Sequence, residues 1–140
     1  MGNAATILIS VSAGIILALG VVHLIFTFHG TKLTPRDAAL YAAMRESSPV
    51  ISRQTTLWKA WVGFNASHSM GAIFFGLIYG YLALAQAALL FQSAYLLAVG
   101  GVMLAGYGVL GRKYWFSVPY RCILFAGACY AGAVVLTLIS

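Results

Sequence analysis

Four long apolar runs dominate the chain, and short polar segments separate them. The runs cover residues 4–28, 58–83, 89–110 and 120–139. Each is close to the length of about 20 residues that an α-helix needs to cross the core of a bilayer. The pattern predicts an all-α, polytopic membrane protein with a single transmembrane domain over residues 1–140. Because each connection reverses the direction of the chain, the four helices should form an up-down bundle.

The first connection, residues 29–57, is the only long polar one. Thr34 followed by Pro35 is a favourable helix start, with Thr34 as the N-cap and Pro35 at the first helical position. Asp37 would then lie in the first turn, where the helix dipole favours a negative charge. These features predict a short helix over residues 35–46 that lies at the membrane surface.

The composition agrees with a lipid environment. Hydrophobic residues make up 62% of the chain and charged residues only 7%, whereas a soluble domain has about 25% charged residues. The formal net charge of +6 would suggest a nucleic-acid partner in a soluble protein. Here the basic residues are confined to segments beside the apolar runs, so we expect the lipid bilayer as the partner and no nucleic acid.

The basic residues also predict an orientation. The first and third connections with their flanks hold all eight of them, and the second connection and both termini hold none. The eight are Lys32, Arg36, Arg45, Arg53, Lys59, Arg112, Lys113 and Arg121. The positive-inside rule therefore predicts cytoplasmic basic loops and both termini outside.

The second apolar run carries the most informative polar residues. Trp58 and Trp61 mark a membrane–water boundary, and Asn65 and His68 follow within the apolar run. Trp61, Asn65 and His68 share one helical face. A polar group in hydrocarbon is costly unless it finds a partner.

Two glycines lie deeper in the same run, and they predict close helix packing. Gly76 and Gly80 have the small-xxx-small spacing that lets a second helix approach. We expect both to face another helix.

The helix rise gives an approximate depth for each polar side chain. His68 should lie about 15 Å inside the boundary at Trp58, and Asn65 about 10 Å inside it. His23, about 8 Å deep on the first helix, is the expected partner of Asn65 and His68. The candidate ligand-binding residues in the cytoplasmic half of the bundle are His23, Trp61, Asn65, His68 and Tyr107. The alternative is a purely structural network, in which each interhelical hydrogen bond contributes about 0.6 kcal/mol.

Three kinds of chemistry can be weighed from these residues. A buried imidazole such as His68 should be neutral and can still transfer a proton. A haem between His23 and His68 is disfavoured, because their estimated depths differ by about 7 Å. A metal site is not expected, since no carboxylate or cysteine is placed to complete a histidine set. The sequence identifies no cofactor.

Three sequence strings carry a resemblance to a known family. They are Gly20-Val21-Val22-His23-Leu24, Trp58-Lys59-Ala60-Trp61 and Gly63-Phe64-Asn65-Ala66-Ser67-His68-Ser69-Met70-Gly71. With them the chain resembles a family of small bacterial four-helix integral membrane proteins. The resemblance implies an integral membrane protein and draws attention to His23, Asn65 and His68, but it implies no activity. We expect the protein in the bacterial inner (plasma) membrane.

Two functional hypotheses follow. The first is a non-enzymatic membrane protein that binds a small lipophilic molecule, or that acts as a subunit of a homo-oligomer or a larger membrane complex. The second is a membrane enzyme that acts on a lipid or quinone-like substrate, with His68 as acid or base.

Overall fold

The structure is a computed structural model that describes residues 3–139. Over this range all of the regular secondary structure is helical, and connections without helix separate the helices. The helices are α1 (Asn3–Phe28), α2 (Ala38–Glu46), α3 (Leu57–Ala85), α4 (Ala87–Gln92), α5 (Ala94–Tyr114) and α6 (Ser117–Leu138). Helices α1, α3, α5 and α6 are long and apolar enough to cross a membrane. The predicted all-α class with four membrane-spanning helices is confirmed.

The third span begins at Ala94 and not at residue 89, and the fourth begins at Ser117 and not at residue 120. The apolar run from residue 89 is divided, because Ser93 ends α4 and its side chain caps α5 by accepting a hydrogen bond from the Leu96 amide at 3.2 Å. Helix α6 begins at Ser117, before Pro119. A proline is tolerated there because the first turn of a helix does not use its amide hydrogens within the helix.

The predicted start of the short helix in the first connection is wrong. Asp37, not Thr34, is the N-cap of α2, and its Oδ1 accepts from the Ala39 amide at 2.9 Å. The hydroxyl of Thr34 instead donates to the Thr31 carbonyl at 2.8 Å. Aspartate is at least as good an N-cap as threonine, so the helix begins three residues later than the Thr-Pro pair suggests. Its end at Glu46 agrees with the prediction.

The chain divides into two compact units. The first comprises residues 3–19 and 72–139 of the described range, and the second comprises residues Gly20–Gly71. Helices α1 and α3 contribute residues to both units.

The core of the first unit is built from residues three or four apart on its helices. On α1 these are Ala5, Ile9, Ala13 and Ile16, each at most 7% exposed. The matching buried residues are Ala72, Phe75, Tyr79, Leu82 and Ala83 on α3, Leu104 on α5, and Ile123, Ala126, Tyr130 and Ala133 on α6. The spacing is that of one helical face, so each helix turns a single stripe inward.

The predicted close helix approach is present at Gly76. A Cβ atom added there would lie 2.5 Å from the Cβ of Leu17 and 2.8 Å from the carbonyl oxygen of Ala13. At Gly80 the nearest atom, the Cβ of Ala13, would be 3.8 Å away. That distance is an ordinary van der Waals contact. Of these two glycines, Gly76 is therefore the one at which a side chain would clash with α1.

Helix α5 passes close to two buried tyrosines of the same unit. The hydroxyl groups of Tyr79 and Tyr130 donate to the carbonyls of Leu96 and Leu97 at 2.7 and 2.9 Å. A Cβ on Gly100 would lie 2.7 Å from the ring of Tyr79 and would overlap the hydroxyl of Tyr130. Gly100 therefore permits the approach that these hydrogen bonds require.

Large apolar side chains on the spanning helices are exposed. Phe64, Leu84 and Tyr95, for example, are 75%, 74% and 76% exposed. Apolar surface of this extent is not stable in water and indicates a hydrophobic surrounding. Together with the four apolar helices, it indicates an integral membrane protein.

Candidate functional site

A hydrogen bond between α1 and α3 forms the centre of the candidate site in the second unit. The Nε2 atom of His23 lies 3.0 Å from Oδ1 of Asn65, as expected from the pairing predicted for these residues. The Nδ2 of Asn65 donates to the Trp61 carbonyl at 2.8 Å, so Oδ1 is the acceptor toward the histidine. This network assigns the proton of a neutral His23 to Nε2 and leaves the lone pair on Nδ1.

His68 completes this group of side chains. Its ring meets the ring of His23 edge to face, with centroids 5.5 Å apart and planes at 89°. All three side chains are half-buried. His23, Asn65 and His68 are hereafter the His–Asn–His cluster. The structure thus brings these three candidate residues together.

Backbone carbonyls within the cluster accept hydrogen bonds from nearby hydroxyl groups. Thr27 donates to the carbonyl of His23, and Ser69 donates to the carbonyl of Asn65, both at 2.8 Å. Each hydroxyl lies four residues after its acceptor, which is the usual geometry for serine and threonine in helices. This spacing was a signal in the sequence that would have identified both residues as neighbours of the cluster.

Trp61 links the cluster to the first connection. Its indole Nε1–H donates to the carbonyl of Leu33 at 3.0 Å, and its own carbonyl accepts from Asn65. Because the acceptor is a backbone oxygen of Leu33, no pattern of side chains in the sequence predicts this hydrogen bond. The direct contact of Trp61 with a ligand stays a prediction.

A small niche adjoins the cluster. It is lined by Thr27, Leu33, Trp58, Trp61, Val62 and Asn65 and has a volume of about 10 Å³. This is close to the smallest space that holds one water molecule and far below the roughly 300 Å³ of a small ligand pocket. A larger molecule would therefore meet the half-buried side chains at the surface of the unit and would not be enclosed.

Tyr107, the remaining candidate, belongs to the first unit. It is half-buried on α5, and its ring faces that of Trp115 with centroids 6.3 Å apart. Its membership of a ligand site stays a prediction.

The chemistry of the cluster is that of hydrogen bonding and proton transfer. Within residues 3–139, no group of three or more histidine, cysteine, aspartate or glutamate side chains is arranged to hold a metal ion. The Nε2 of His23 is hydrogen-bonded to Oδ1 of Asn65 in this structure. The cluster instead offers two imidazoles, one of which has its tautomer set by an amide.

Comparison with known proteins brings no match: no family model, no curated protein and no solved structure matches the chain significantly.

Proposed function

We propose that this chain is an integral membrane protein that binds the polar head of a small lipophilic molecule at the His–Asn–His cluster. The observation that carries the proposal is the fixed arrangement of His23 and Asn65, with the ring of His68 against that of His23. Polar groups within a membrane-spanning segment are costly and usually serve a function. These groups are half-buried, so a molecule dissolved in the bilayer can reach them.

The chemistry of the cluster favours a ligand with a small polar ring or head. Imidazole and amide groups form directed hydrogen bonds with carbonyl and hydroxyl groups, and the surrounding apolar side chains favour a hydrocarbon tail. The niche beside Asn65 has room for one water at most. A quinone-like ring or another amphipathic molecule at the open side of the cluster would fit these constraints.

We further propose the bacterial inner membrane, an up-down order of the spans and the orientation that the positive-inside rule gives, with both termini outside. In this arrangement α2 lies at the cytoplasmic surface. The placement of α2 at the membrane surface is supported by two contacts between α2, with its C-cap, and the start of α3. The rings of Tyr41 and Trp58 meet at 4.8 Å, and the Leu57 amide donates to the Ser47 carbonyl at 2.9 Å.

A second candidate is a membrane enzyme that acts on a lipid or quinone-like substrate, with His68 as acid or base. The contact between the two imidazole rings favours it, because neighbouring imidazoles can exchange a proton through a substrate or a water. A role as a subunit of a homo-oligomer or larger complex would use the same cluster to bind a helix of its partner.

The test is to purify the protein in mild detergent and identify co-purifying lipophilic molecules by mass spectrometry. We expect one class of molecule to be enriched with the wild type and lost from His68→Leu. A visible absorption spectrum of the same sample would detect a coloured ligand, and turnover of a recovered molecule would favour the enzyme.

Met70→Leu is the matched control. Met70 lies on α3, as His68 does, it is 48% exposed, and its side chain is similar in volume to the leucine that replaces it. The control variant should retain the molecule. If the cluster only joins helices, His68→Leu should cost about 1 kcal/mol or less of unfolding free energy, and both variants should carry the same lipids as the wild type. That result would contradict the proposal.

A further inference from the structure

A groove runs between α5 and α6 in the first unit. It has a volume of about 600 Å³, within the range of about 300–1,000 Å³ that is typical of ligand sites. Small residues form much of its lining, namely Gly101, Ala105, Gly108, Gly127, Ala128 and Ala131. From Gly101 to Arg112 the groove follows α5 for about 16 Å, which is about half of a bilayer core and so matches one leaflet.

The two ends of the groove differ in polarity. Arg112 and Tyr120 line one end, close to the C-terminus of α5 and the N-terminus of α6. The rest of the lining is apolar except for Tyr130, whose hydroxyl donates to the Leu97 carbonyl. The acidic residues of the chain are Asp37 and Glu46, so residues 72–140 contain no carboxylate side chain that could neutralise Arg112.

We propose that this groove binds one phospholipid with an anionic head. An acyl chain lies along the small residues, and the phosphate accepts hydrogen bonds from the guanidinium of Arg112 and the hydroxyl of Tyr120. Charge complementarity carries the assignment, because an unneutralised arginine at the end of an apolar groove matches a negative head on a hydrocarbon chain. None of the residues that line the groove belongs to the His–Asn–His cluster. Lipid binding in the groove therefore does not depend on the proposed function of the cluster.

Native mass spectrometry tests this proposal directly. Purified protein in neutral detergent is titrated with dioleoyl-phosphatidylglycerol, and separately with dioleoyl-phosphatidylcholine, and the first bound lipid is counted. We expect the wild type to prefer phosphatidylglycerol. Arg112→Gln should lower that affinity about fivefold, the effect of one basic side chain near an anionic head. Lys113→Gln removes the same charge from the neighbouring residue, which does not line the groove, and should leave the first binding step unchanged.

A second variant tests the acyl part of the site. A Cβ added to Gly127 meets no atom within 4 Å, and Gly127 lines the groove, so we expect the side chain of Gly127→Leu to occupy the space of an acyl chain. This variant should lose the first bound lipid of either class. Gly14→Leu is its control, because Gly14 on α1 is equally open but does not line the groove.

Two results would overturn the proposal. Equal losses in Arg112→Gln and Lys113→Gln would mean general attraction of anionic lipid to a basic surface. A dimer in the wild type that Gly127→Leu converts to a monomer, with lipid binding unchanged, would mean that a second copy of the chain occupies the groove.

Discussion

Asn65 orders the candidate site at the scale of single residues. Its amide nitrogen is bound to the Trp61 carbonyl, and this leaves its oxygen for His23. The sequence could predict the association of His23, Asn65 and His68, because depth along a helix and the cost of polar groups in hydrocarbon are both readable from residue order. It could not predict the tautomer of His23 or the carbonyl of Leu33 as the partner of Trp61. Those depend on amide orientation and loop path.

Glycine packing gives a prediction at the same scale. Gly76→Ala would bring its methyl group against Leu17 and the Ala13 carbonyl, so we expect a loss of about 1–3 kcal/mol in the free energy of unfolding. Gly80→Ala has space for the methyl group and should be neutral, or stabilising by up to about 1 kcal/mol through a less flexible unfolded chain. Unfolding titrations in mixed micelles measure both. Equal losses for the two variants would contradict the packing described for α1 and α3.

Helix α2 shows what sequence can and cannot define at the scale of an element. Its existence and its end at Glu46 can be predicted from the polar connection and from Ser47-Ser48-Pro49, a sequence that breaks a helix. Its start cannot, because Thr34 and Asp37 are both good N-caps and the choice depends on the preceding turn. Likewise, Ser93 divides α4 from α5 within a run that is apolar nearly throughout, where hydropathy alone gives no boundary.

The N-cap of α2 can be tested by substitution. Asp37→Ala removes the acceptor for the Ala39 amide and should destabilise the helix by about 1 kcal/mol. Hydrogen exchange of the amides in residues 38–46 should become faster by about fivefold as a result. Thr34→Ala is the control and should leave these rates unchanged. Faster exchange in the Thr34 variant alone would restore the helix start that the Thr-Pro pair suggests.

At the scale of the whole molecule, hydropathy predicts the class and the number of spans. Helix length and apolar character are properties of the local sequence, so residue order alone is sufficient to identify all four spans. The groove between α5 and α6 could not be predicted in this way. It depends on which small residues of two helices face each other, and glycines such as Gly108 and Gly127 look alike in sequence whether they face a helix, a groove or lipid.

The proposed orientation can be tested with reporter fusions. Alkaline phosphatase, which is active only outside the cytoplasm, should be active when fused after Ile139. Green fluorescent protein should be fluorescent when fused after Lys113 and dark when fused after Ile139. The reason is the concentration of all eight basic residues in and beside the first and third connections. The reverse pattern of activities would show the opposite orientation.

The most direct test of the proposed site is the ¹⁵N spectrum of the histidine side chains in reconstituted protein. The chain has three histidines, and His29, an exposed residue just after the end of α1, provides an internal control. The protein is reconstituted in total lipid extract from the host membrane, with and without the neutral-lipid fraction. If a small lipophilic molecule binds the His–Asn–His cluster, the signals of His23 and His68 should change when that fraction is restored, while that of His29 stays constant. Unchanged signals for His23 and His68, or equal changes at all three histidines, would contradict the proposed binding site.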